Sequence, residues 1–370
     1  MSETIRCLRR PLLRLITSSI DRQYQFTGRR PLYTESTLDL DEYKNVRRNL
    51  QTLGKEQSDV FREAVMITLK NETNLVTIVD LRKMLHIVEK NEEDLRLLKA
   101  MVERYHQQNN DNDSYTFGPI IMRALHYLNE PHVALEAIKD PKFHSLYNQP
   151  TTSAILLDLL YEHGMFKEIR DVYDSLRERP VSKLVISVVA MACYKENSPA
   201  SLQYALQMWK ELCHQSTPMR RTIVTLTALA LNQNKPGIAL ELLAYCHKFD
   251  SISVRSAKVM ALCDLNEMDK ALVDFKQALK HNSHYLADVA IKFTAAVKRL
   301  DIAPDEEIRE VFDVLKIQRF IYAQTLDAYI SNPIDVWKKQ KPPQKNTYQL
   351  DRRKLPLGRD TSTTRVQLII

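Results

Sequence analysis

The chain has 370 residues, 44% hydrophobic and 27% charged, enough apolar material for a large buried core and too much for a disordered protein. Its six glycines compare with about 26 at average usage, and no two stand close enough to build a phosphate-cradling loop, which argues against Gly-rich nucleotide sites. The longest apolar stretch, Leu184 to Cys193, is broken by Ser187 and falls short of a membrane span, so no membrane insertion is expected. Cys7, Cys193, Cys213, Cys246 and Cys263 lack the short paired spacings of a zinc site or disulfide scaffold and read as reduced helix residues.

The net charge of +7 sits at the two ends. Residues 1–35 carry seven Arg against three acids, and residues 334–370 carry nine Lys and Arg against three acids, which leaves the middle of the chain at −3. Residues 1–35 contain Arg but no Lys, together with Thr17, Ser18, Ser19 and an apolar face of Leu12, Leu13, Leu15, Ile16 and Ile20. That is the composition of a mitochondrial targeting presequence, with cleavage expected near Arg30 to Thr34; a basic arm that stays attached is the alternative.

Residues 36–113 predict N-terminal helices and degenerate repeats, with Phe61, Val65 and Leu69 on one face, an apolar stretch from Leu75 to Val88, a turn at Asn91, and a helix from Leu95 to Tyr105. Residues 114–285 show the strongest pattern. Ala134, Ile169, Ala205, Ala239 and Ala271 open helical stripes at spacings of 35, 36, 34 and 32 residues, and Asn129, Gly164, Ser198, Asn234 and Asn266 precede them as turn residues. Apolar residues then fall at +3, +4 and +7, as in Val172, Tyr173 and Leu176, or Met208, Trp209 and Leu212. Asp274 breaks this pattern in the last copy. A hairpin of this length cannot bury its own apolar face, so the sequence predicts an all-α solenoid of five stacked helical hairpins, coiled as a right-handed superhelix with a concave inner side. Residues 286–331 predict C-terminal capping helices, opened by Pro304 with Asp305, Glu306 and Glu307. Residues 332–370, with Pro342, Pro343 and Lys338, Lys339, Lys341, Lys345, Arg352, Arg353 and Lys354, predict a flexible basic tail able to hold nucleic acid without specificity.

A repeat of 34 to 36 residues is shared by tetratricopeptide and pentatricopeptide arrays, and the Trp, Leu-Gly and Tyr signature of the former is absent. The segment TTSAILLDLLYEHGMFKEIRDVYDSLRERPVSK, from Thr151 to Lys183, resembles a pentatricopeptide unit through Leu156, Leu157, Gly164, Phe166, Val172, Tyr173 and Leu176. The strings YTFGPIIMR (Tyr115 to Arg123), ACYKENSP (Ala192 to Pro199) and ALALNQN (Ala228 to Asn234) are similar to animal mitochondrial members of that family over roughly residues 90–290. The resemblance implies a mitochondrial matrix protein that takes part in RNA maturation and supports the respiratory chain. Its implied partners are precursor mitochondrial RNA and RNA-processing proteins or a nuclease, with no small-molecule substrate and no cofactor.

Typical units of the family read one base each through a polar residue on the first helix. The corresponding positions are Pro119, Ala154, Val188, Val224 and Ser256, of which only Ser256 can hydrogen-bond through its side chain, so a base-by-base code is not written here. The candidate RNA-binding residues are Arg123, Lys195, Arg220, Arg221, Arg255 and Lys258, with Tyr127, Tyr161 and Tyr194 as stacking surfaces. Solvated outer-face charges and gap-filling tyrosines are the alternative for each. No catalytic or metal site is expected. His281 and His284 lack a further ligand, the adjacent pairs Cys213-His214 and Cys246-His247 diverge on a helix, and Asp305, Glu306, Glu307, Asp313 and Asp327 form no constellation. The sequence therefore predicts a non-catalytic factor that binds or presents precursor transcripts; its rival is a protein-interaction scaffold without RNA contact, favoured by the acidic middle and the apolar code positions.

Overall fold

The computed structural model describes residues 31–334, apart from 52–54, 72, 110–116, 144, 177–180, 216–217, 247–250 and 304–305. The chain divides into two compact units, Met1–Asp335 and Val336–Ile370, the second of which lies outside the described residues. So do the expected leader up to residue 30, nearly all of the basic tail, Cys7, and the residues Pro304 and Asp305.

Among the described residues the first unit holds seventeen α-helices and no strand longer than an isolated bridge. Helices α1 (Leu40–Gln51), α2 (Lys55–Lys70), α3 (Ile78–Ile87) and α4 (Glu92–Asn109) precede the regular array. Thr77 caps α3, its hydroxyl accepting the Asp80 N–H at 3.1 Å, and Asn91 opens α4 by accepting the Asp94 N–H at 2.6 Å.

The repeating units are the hairpins α5 (Gly118–Leu128) with α6 (Pro131–Lys139), α7 (Pro150–Glu162) with α8 (Phe166–Leu176), α9 (Lys183–Glu196) with α10 (Pro199–Gln215), α11 (Arg220–Asn232) with α12 (Pro236–Leu243), and α13 (Ile252–Asp264) with α14 (Met268–Lys280). Each first helix ends in a left-handed residue, at Asn129, Gly164, Asn197, Asn234 and Asn266 (φ 59°, 69°, 48°, 53° and 64°). Such a residue reverses the chain while satisfying the last helical carbonyls. In the third unit the turn is Asn197, one residue before the expected Ser198. The asparagine tolerates positive φ better, and Ser198 instead accepts the Ser201 N–H at 3.0 Å as the cap of α10.

The five stripe-opening residues Ala134, Ile169, Ala205, Ala239 and Ala271 are no more than 1% exposed, as close helix contact in every hairpin demands. Asp274, which interrupts the stripe, pairs with Lys258 at 2.9 Å, so its carboxylate is carried at the margin of the core. A sixth hairpin follows, α15 (Ala287–Arg299) with α16 (Glu307–Ile317), turned at left-handed Asp301, and the short α17 (Leu326–Ile330) completes the described chain. Phe275, Phe293 and Phe312 cluster across this last interface with ring centroids 4.0–5.6 Å apart, Phe293 stacked on Phe312 and edge-on to Phe275.

The first helices α3, α5, α7, α9, α11, α13 and α15 contact one another in sequence and form one layer, and the second helices lie on one side of it. The other side is covered at both ends by the chain itself. Helix α1 packs on α3 and α5, and α17 packs on α11 and α13. This double cover explains why α7, α9 and α11 are buried almost all round, Val185 to Tyr194 without a break.

Candidate nucleic-acid interface

The candidate binding residues belong to the first helices or their starts, and the first-helix layer has one side away from the second helices. The structure brings most of them to that side and gives their polar groups to the two terminal segments. Arg123 on α5 donates from Nε to the Leu38 carbonyl at 2.8 Å and pairs with Asp39 at 2.9 Å. Tyr127, one turn on, lies under the Arg47 guanidinium of α1 at 4.6 Å from the ring centroid. Tyr194 donates its hydroxyl to Asp327 at 3.0 Å, and Lys195 pairs with the same carboxylate at 2.7 Å. Arg221 donates to the carbonyls of Ile330 and Asn332. Burial is the main cause that pushes the Tyr161 and Tyr194 hydroxyls up from their ordinary pKa and the Arg221 guanidinium down.

The remaining candidates lie elsewhere. Arg255 donates to the His284 carbonyl at 3.2 Å, with its guanidinium 6.0 Å from the Tyr285 ring centroid. Lys258 belongs to the Asp274 pair already described. Arg220 alone of the six cationic candidates is exposed. The five code positions are buried: Ala154, Val188, Val224 and Ser256 are at most 2% exposed, and the Ser256 hydroxyl accepts the Leu286 N–H at 2.9 Å. Pro119 is buried as well.

Sequence reasoning missed what covers the layer. Residues 31–39 run from an anchor at Tyr33, which is 1% exposed. Its N–H donates to Asp158 on α7 at 3.2 Å and its hydroxyl to the Leu184 carbonyl on α9 at 2.5 Å. From the other end, Asp288 on α15 accepts the Leu326 N–H at 2.5 Å, and α17 leads to Ile334. The two segments meet in a parallel bridge, Tyr33 beside Ile334. Thr34 N–H donates to the Ile334 carbonyl at 3.1 Å, Ile334 N–H to the Leu32 carbonyl at 2.7 Å, and the Thr37 hydroxyl to the Ile334 carbonyl at 3.3 Å. Leu32 and Tyr33 therefore belong to the folded unit, although the sequence assigns residues 31–35 to the leader. The legible signal was Asp158, a lone acid inside the apolar string ILLDLL.

A cavity of about 220 Å³ lies beside the Tyr33 anchor, between α1, α5 and α7. His126, Asp158 and Glu162 meet there with one candidate ligand atom each, all within 4.8 Å of one another. Asp158, 1% exposed, is engaged on both oxygens, by Tyr33 N–H and by His126 Nε2 at 3.4 Å. Glu162 sits half-buried, and desolvation raises its pKa from 4.5 against the opposing charges of His126 and Lys44. The described cysteines are free thiols; burial pushes Cys193 and Cys263 up to about 12, away from thiolate chemistry.

No protein-family model matches the chain. Pentatricopeptide repeat-containing protein 2, mitochondrial, of Pongo abelii is 25% identical over 316 residues, covering 82% of each chain. The Homo sapiens protein of the same name is 24% identical over 82% of this chain and 80% of its own, and that of Mus musculus 26% identical over 57% and 56%. The chain is similar to these pentatricopeptide repeat proteins over most of its length. The kinship agrees with the hairpin array, its left-handed turns and its buried stripe-opening residues, whereas the buried code positions depart from base-reading units.

Proposed function

We propose that the chain is a non-catalytic mitochondrial RNA-maturation factor, located in the matrix, which binds or presents precursor transcripts for processing by a separate nuclease and thereby supports the respiratory chain. The observation that carries this reading is kinship with mitochondrial pentatricopeptide repeat proteins over 82% of the chain. Arg123, Lys195 and Arg221 along one side of the first-helix layer supply the cations a phosphate backbone requires. Contacts of this kind position a strand without reading its sequence, in keeping with buried code positions. The test is ultraviolet crosslinking of the tagged protein in intact mitochondria, with sequencing of the bound RNA. Discrete footprints on precursor transcripts are the expected result; absence of RNA enrichment overturns the reading.

A second reading, a protein-interaction scaffold without direct RNA contact, is favoured by one observation. The first-helix layer already holds two peptide segments of its own chain, through main-chain hydrogen bonds and a buried tyrosine. Under that reading the same crosslinking sample yields stoichiometric protein partners and no RNA.

A further inference from the structure

We infer that the two terminal segments, residues 31–39 and 326–334, form a clasp that closes the RNA face, and that single-stranded RNA engages this face in exchange for the clasp. The inference rests on the RNA reading above and specifies how that site is regulated. Three features of the clasp carry it.

The first is where it lies. Arg123, Lys195 and Arg221, which stand on three different first helices, each spend their donors on a terminal segment. The second is chemical. The groups that the segments present to those cations are the Asp39 and Asp327 carboxylates and the carbonyl oxygens of Leu38, Ile330 and Asn332. An array of anionic and acceptor oxygens facing Arg and Lys is what a phosphate backbone also offers, so an RNA strand satisfies the same donors when the segments leave. Tyr127, Tyr161 and Tyr194 lie on the same face and supply the surface for base stacking.

The third feature is how the two segments are joined to each other. Among the described residues the two segments join through one bridge pair and three hydrogen bonds, without a strand ladder or a disulfide. The hairpins contact one another along the array without either segment, and the segments pack on the outer side of the first-helix layer, α17 against α11 and α13, so displacing them leaves the hairpin-to-hairpin contacts in place. A face that is free only part of the time binds with an affinity reduced by its open fraction, and weakening the closure raises the apparent affinity.

The test uses the full chain and fluorescein-labelled polyuridylate at low ionic strength, followed by anisotropy. Ile334→Pro removes the N–H that donates to Leu32 at a position outside every helix; Tyr33→Ala removes the anchor. Both variants are expected to bind about five-fold tighter or more, the factor that loss of one net hydrogen bond gives an opening equilibrium. Hydrogen exchange on the wild-type chain needs no substitution: saturating polyuridylate is expected to speed exchange of the Thr34 and Ile334 amides while α9 and α11 stay protected. Equal affinity of wild type and variants, with clasp amides unchanged on RNA binding, overturns the clasp and leaves RNA binding standing. Failure of every form to bind polyuridylate overturns the RNA reading and the clasp with it.

Discussion

Replacing Asp158 by Ala should loosen the N-terminal segment far more than the array. Asp158 is 1% exposed, and its Oδ1 is the acceptor for the Tyr33 N–H. With the carboxylate gone, that buried donor has no partner, at a cost of about 1–3 kcal/mol for a group left unsatisfied. The segment escapes this cost by opening to water, which caps the loss in overall stability at the free energy of closing the segment. Taking about 2 kcal/mol as the central value, the opening equilibrium rises about 30-fold, since every 1.4 kcal/mol is tenfold. The assay is amide hydrogen exchange resolved by mass spectrometry. Peptides covering Tyr33–Leu40 should exchange about 30-fold faster in Asp158→Ala, with α11 and α13 within two-fold of wild type. Asp158→Asn keeps an acceptor oxygen in place and should show less than half of this effect in free-energy terms. Uniform loss of protection across α7, α9 and α11, with the 33–40 peptides no more affected than the rest, would refute the reasoning.

Other consequences follow from single side chains. Glu162 has a pKa raised above 4.5 in the folded state, mainly by desolvation, so folding favours its protonated form. Its contribution to stability is present below 4.5 and lost as pH rises through the raised folded value. Its facing groups are His126 on α5, Lys44 on α1, Asp158 on its own helix and Glu35 from the terminal segment. Glu162→Gln should therefore raise the thermal midpoint at pH 7.5, with the gain over wild type shrinking as pH falls toward 4.5. Gly118→Ala would drive a methyl group into the Leu146 carbonyl oxygen and to 2.8 Å from Thr152 Oγ1, an overpacking that costs about 1–3 kcal/mol in thermal or denaturant unfolding. Gly164→Ala meets nothing within 4 Å, so its cost should be the left-handed backbone at φ 69° alone, about 1–2 kcal/mol. In native alkylation at pH 8, half-exposed Cys213 should label well ahead of buried Cys193 and Cys263, whose thiols are pushed up to about 12.

The array was legible because its signals are local. Stripe-opening residues about 35 apart and Asn or Gly at the turns each act within one hairpin, and the structure places all five stripes where the spacing put them. The sixth hairpin was read as capping helices because its left-handed turn is Asp301, outside the Asn and Gly pattern. The clasp was not legible as a contact, since its bonds join residues 125, 151 and 297 positions apart. Its trace in the sequence is indirect. First helices such as α9, apolar over LVISVVAMAC, have no polar side to give to solvent, which means that something covers both of their faces. The candidates stand on first helices, and the partners of Arg123, Tyr194, Lys195 and Arg221 come from the two terminal segments, far away in sequence.

The most direct measurement of the account is the distance between the two arms of the clasp, with spin labels on exposed Ser36 and Asn332 in a chain whose Cys7 and Cys213 are replaced by Ser. One short, narrow distance is expected in the free protein, and a longer, broader distribution when polyuridylate saturates it. A distance that stays short and narrow with RNA bound would contradict the exchange, and a broad distribution in the free protein would contradict the clasp itself.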